Sequence, residues 1–95
     1  MDVGVVKLKI RIPWSHSLKE RRSEIRSLSS KLKNRFSVSV SEVEISDVHQ
    51  IAFLGISFVA SDSRTAESLM SHLIEFAENE TDAEVVVLHS ELLRY

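Results

Sequence analysis

The stretch VKLKIRIPWSHSLKE, residues 6–20, decides how this chain folds. Val6, Leu8, Ile10 and Ile12 alternate with Lys7, Lys9 and Arg11, a period of two that sets an apolar row and a charged row on opposite faces of a strand. Pro13 ends that ladder because its nitrogen has no hydrogen to donate. Ser17 and Glu20 then form a Ser-x-x-Glu capping box, in which each side chain takes up a free amide of a helix's first turn. Strand, stop and helix start follow one another without a gap.

Outward from this stretch the periodicities continue. Leu18, Ile25, Leu28, Leu32 and Phe36 fall on one stripe and predict a helix over residues 18–35. Residues 37–45 have the β-branched alternation of a second strand, and its apolar phase shifts between Val40 and Val43. That shift predicts a bulge near Ser41 and Glu42. A third strand spans residues 51–60, with Leu54, Ile56 and Phe58 on one face and Phe53, Gly55, Ser57 and Val59 on the other. Ser61 or Asp62 caps a second helix whose stripe is Ala66, Leu69, Met70, Leu73, Phe76 and Ala77. A last strand covers residues 84–92. With right-handed crossovers, this βαββαβ order gives an α+β, ferredoxin-like sandwich. Two helices cover one face of a four-stranded antiparallel sheet, the first and third strands are central, and the other face is open. Residues 1–95 are read as a single domain of this kind.

Three segments resemble the YlxP-like family of small bacterial proteins: Ile12-Pro13, the run from Ser17 to Arg22, and the run from Arg35 to Val43. Leu54-Gly55 and Ser61-Asp62 are similar to that family as well. The resemblance implies a ferredoxin-like fold, a bacterial cytoplasmic origin and a gene neighbourhood of translation and ribosome-maturation factors. It brings no established activity and no catalytic residues.

Composition narrows the chemistry. The chain has no cysteine, which excludes disulfides, thiolate metal sites and cysteine nucleophiles. No signal-peptide block and no apolar run of ~20 residues is present, so a cytoplasmic protein without a membrane partner is expected. Two glycines and one proline leave little material for phosphate-cradling turns. His16, His49, His72 and His89 lack ligand spacing, so no metal and no cofactor is expected. Sixteen serines include no Gly-x-Ser-x-Gly elbow, and the acids show no pairing for general acid–base work. A non-enzymatic role follows. Trp14, just after Pro13, either anchors a partner or packs over the edge of its own core.

A net charge of −2 conceals a split. Residues 1–40 hold ten basic and three acidic side chains, whereas residues 41–95 hold two basic and eleven acidic ones. Such asymmetry fits an anion-binding surface, a self-complementary assembly, or mutual neutralisation within the fold. Lys19, Arg21 and Arg22 stand at a helix start, where cations are unfavourable, and a phosphate near Ser15, His16 and Ser17 would offset them. Lys19, Arg22, Arg26 and Lys33 lie within about 60° of one another on the helix. The leading expectation is a non-catalytic module that binds ribosomal RNA or a ribosomal particle, with Lys19, Arg21, Arg22, Arg26 and Lys33 neutralising phosphates and Ser17 fixing the helix end. The alternative is a homodimeric scaffold or regulatory domain. It would use the open sheet face of Lys7, Lys9, Arg11 and Phe53, with the basic residues meeting Glu42, Glu44 or Glu91 of a second copy.

Overall fold

The computed structural model describes residues 1–44 and 46–95. Its elements are β1 (Asp2–Arg11), α1 (Leu18–Arg35), β2 (Ser39–Glu44), β3 (Ile51–Ala60), α2 (Ser63–Asn79) and β4 (Glu84–Arg94). The sheet runs β2-β3-β1-β4 with antiparallel neighbours throughout. This is the ferredoxin-like sandwich that the sequence order predicts, with β1 and β3 central. α1 and β3 have the bounds read from their periodicity. β2 starts later than expected, at Ser39, because the Val38 amide turns back to the Phe36 carbonyl at 3.0 Å. The predicted end of that strand, Ile45, lies outside the described residues.

Two bulges adjust the strands to the core. In β2 the register shifts between Glu42 and Glu44, one residue beyond the predicted place. Val43, unpaired at the shift, lays its side chain over Gly55, the register partner of Ser41, where an added Cβ would stand 2.5 Å from Val43 Cγ1. In β4 the four apolar residues from Val85 to Leu88 cannot alternate by themselves. A register shift opposite Lys7 and Leu8 resolves this. Val85 and Val87 stand beside Ile10 and Leu8 on the helix side, and beyond the bulge Leu92 stands beside Gly4 on that same side.

Between sheet and helices, Leu8, Ile10, Ile12, Leu28, Leu32, Leu54 and Leu73 are wholly or almost wholly buried. Phe36 and Phe76 pack edge to face with ring centroids 5.4 Å apart and tie the C-terminal end of α1 to α2. Leu18 departs from its expected place on the buried stripe. It is 40% exposed. Among the described residues, no helix is long and apolar enough to cross a membrane.

Both helix starts are satisfied by side chains. Ser17 accepts from the Glu20 amide at 3.1 Å, and the Glu20 carboxylate accepts from the His16 amide at 2.8 Å, completing the predicted box. At α2 the cap is Asp62, which accepts from the Thr65 amide at 2.8 Å. That amide, helped by the Ser61 hydroxyl, holds the Asp62 carboxyl below the ordinary carboxylate range. A folded pKa below the unfolded one adds stability at pH above the unfolded value, and this is lost as pH falls through the folded value. Asp62→Asn keeps an acceptor without the titration, so thermal unfolding followed below about pH 4 should show a flatter acid limb than the unaltered chain.

Candidate functional site

The sheet order gives α1 two different flanks. α2 lies over β1 and β4, whereas α1 lies towards β2 and β3. One side of α1 therefore meets α2, and the other overhangs the edge strand. The side towards α2 is neutralised: Thr81 donates to Glu24 at 2.9 Å, and Lys31 reaches the Glu80 carbonyl at 3.3 Å and its carboxylate at 4.0 Å. On the other side Arg22, Arg26 and Lys33 line a groove of about 370 Å³, with Ile25 at its base and Ser41 and Glu42 of β2 as its far wall.

Ion pairs among the described residues join Lys7 to Glu44, Arg11 to Glu84, Lys31 to Glu80, His89 to Glu91 and Arg94 to Asp2. Lys19, Arg22, Arg26 and Lys33 belong to none of them, and all four are exposed. The acidic second half thus takes up some of the basic first half but leaves this stripe. Glu42 is the carboxylate that shares the groove.

Arg21 leaves the phosphate-binding set. It is 5% exposed, and its Nη1 donates to the carbonyls of Ser46 at 2.7 Å, Val48 at 3.0 Å and Ile51 at 3.2 Å. Its guanidinium holds the β2–β3 loop against α1 and is not presented to solvent. At the helix start the amides of His16 and Glu20 already have side-chain partners, and buried Ser15 donates to the Ser17 carbonyl at 2.9 Å. Ser17 acts as the helix cap.

Lys7, Lys9, Arg11 and Phe53 do share the open sheet face. Lys7 pairs with Glu44 and stands 5.7 Å from the centre of the Phe53 ring, and Arg11 meets Glu84 at 3.1 Å. Glu44, expected to reach a second copy, closes on a lysine of its own chain. Lys9, between Phe53 and Val86 in register, makes no ion pair among the described residues.

Residues 3–90 match the family described as Protein of unknown function (DUF503). The chain belongs to that family. This DUF503 chain is 26% identical over 89 residues to "Uncharacterized protein YlxP" of Bacillus subtilis (strain 168), covering 94% of the one and 97% of the other. Among solved structures it is similar to a de novo designed protein with ferredoxin fold, at a TM-score of 0.58 and 15% identity, over 94% of this chain and 87% of the design. A C-terminal segment of the alpha subunit of aIF2 from Pyrococcus abyssi gives a TM-score of 0.53 and 15% identity, over 94% of this chain and 50% of that one. At such identities the likeness is one of fold.

The buried role of Arg21 in the DUF503 chain has a signal in the sequence. Arg21 lies four residues before Ile25, seven before Leu28 and eleven before Leu32, which places it on the buried stripe and away from the basic one. Its charge argues for solvent and its phase for the core, and phase prevails because loop carbonyls meet the guanidinium there.

Proposed function

We propose that this DUF503 chain is a non-catalytic binding module that takes the phosphate backbone of RNA along the β2-facing flank of α1. The observation that carries this reading is the groove in which Arg22, Arg26 and Lys33 converge without an intramolecular ion-pair partner among the described residues. At 1.5 Å rise per residue, Arg22 to Lys33 covers about 16 Å, and Lys19 extends the row to about 21 Å. A row of that length suits several consecutive phosphates better than one small anion. Long cations facing water read charge and spacing rather than base edges, so affinity is steeply salt-dependent and weakly selective. Ribosomal RNA is the partner that the YlxP-like resemblance favours.

The test is cosedimentation of the chain with small ribosomal subunits, and with their naked RNA, at low and high salt. Arg22→Glu/Arg26→Glu is expected to weaken binding by at least about tenfold and to lower the salt slope by about two. Unchanged affinity in a folded double variant overturns the assignment. A stable oligomer with no affinity for RNA returns the role to the sheet face.

A further inference from the structure

We infer that Glu42 is the acceptor for a sugar 2′-hydroxyl, so that the groove beside α1 takes RNA in preference to DNA. This rests on the phosphate-backbone reading of α1 and adds to it the chemistry that tells one backbone from the other. Two observations place Glu42 in the groove. It lines the same cavity as Arg22, Arg26 and Lys33. In register it stands beside Leu54, as Val40 stands beside Ile56, and both of those partners are buried in the core. Alternation therefore turns the Glu42 side chain to the helix side of the sheet, towards α1. Glu44, beyond the bulge, stands beside Phe53 on the opposite face and pairs with Lys7.

The carboxylate and the cations do not close on each other. Glu42 forms no ion pair among the described residues, and neither do Arg22, Arg26 and Lys33. Opposite charges held apart across a groove of about 370 Å³ suit an occupant with two kinds of group. The α1 wall takes an anion, and the β2 wall takes a hydrogen-bond donor. Ser29 also lines the groove. On the helix it lies about 20° from Arg22 and about 40° from Lys33, and its hydroxyl can donate to a phosphate or accept from a sugar.

The DNA backbone presents only acceptors, so against Glu42 it brings repulsion with nothing to offset it. RNA adds a 2′-hydroxyl to each sugar, which is a donor close to every phosphate. A carboxylate that accepts from this hydroxyl forms a charge-assisted hydrogen bond. A negative charge beside a phosphate-binding row then acts as a filter against DNA. Base amino groups also donate to carboxylates, but they differ from base to base, whereas the hydroxyl recurs in every nucleotide as the phosphates do.

The test compares twelve-nucleotide single strands of one base, uracil, as RNA, as DNA and as 2′-O-methyl RNA, which keeps the oxygen and loses the donor. Binding to the full chain is followed by fluorescence anisotropy at low salt. RNA is expected to bind about tenfold tighter than DNA, and the 2′-O-methyl strand no tighter than DNA. Glu42 is exposed on an edge strand, so its variants should keep the urea midpoint of the unaltered chain. Glu42→Ala should raise DNA affinity by removing the repulsion, leave RNA no tighter, and bring the two affinities together. Glu42→Gln retains an acceptor without the charge and should keep a reduced preference for RNA. Equal affinity for RNA and DNA in the unaltered chain, with both lost in Arg22→Glu/Arg26→Glu, overturns the hydroxyl inference and leaves the α1 reading standing. An equal gain for both strands in Glu42→Ala overturns it too, since the carboxylate then only repels. So does a dependence on Glu42 that appears with cytosine strands and not with uracil ones, which assigns the carboxylate to a base. Failure to bind either strand or ribosomal RNA overturns both readings.

Discussion

Arg21→Met is expected to destabilise the fold by about 3 kcal/mol, read as a lower urea midpoint. Methionine keeps most of the aliphatic stem, so the loss falls on the guanidinium. One nitrogen of that group serves Ser46, Val48 and Ile51. Without it the carbonyls of Ser46 and Ile51 lose this donor, while that of Val48 keeps the Ile51 amide at 3.1 Å; a carbonyl left dry without a donor costs about 1–3 kcal/mol. Part of this is recovered, because the buried charge itself is costly and Nε has no hydrogen-bond partner. Arg21→Lys restores a charge but not the planar fork, and should fall between the two. Hydrogen exchange decides where the loss acts: the β2–β3 loop and the first turn of α1 should exchange faster in Arg21→Met before the rest of the sheet does. Uniform acceleration would mean that Arg21 supports the core generally. At temperatures where the variant is folded, the salt slope of RNA binding should be unchanged, since Arg21 does not reach the groove.

The fold was legible because its signals are local and agree with one another. α1 is bounded by a capping box and an apolar stripe, and β3 is a run of ten residues with clear alternation, so both have the predicted limits. The bulge in β2 announces itself as a phase shift. The bulge in β4 does not, since Val85 to Leu88 are all apolar and any phase fits them. The candidate site was legible as a stripe of charge but not as an available one. Helical phase groups Lys19, Arg22, Arg26 and Lys33, yet only the position of β2 at the sheet edge decides that they face a groove rather than α2. Lys7 and Arg11 illustrate the converse. Strand alternation exposes them, and their neutralisation depends on Glu44 and Glu84, which are brought beside them by pairings that span much of the chain.

Gly4→Val is expected to cost about 3 kcal/mol or more, and Gly4→Ala somewhat less. Gly4 has an ordinary negative φ, so its role is not conformational. It lies opposite Phe58 in register on the helix side of the sheet, and an added Cβ would overlap the Phe58 ring, meeting Cε1 at 2.7 Å. Phe58 is 4% exposed and part of the core, so the ring has no free space into which to retreat. Overpacking of this kind forces a strained rotamer or parts the two central strands. Coupling between the two positions is expected as well as loss. Phe58→Leu alone removes ring volume and leaves a void, but in a Gly4→Ala background the new methyl group occupies part of that void. The double variant should be more stable than the sum of the single losses implies, by about 1 kcal/mol in a denaturation cycle. Additive losses would mean that the ring does not rest on Gly4.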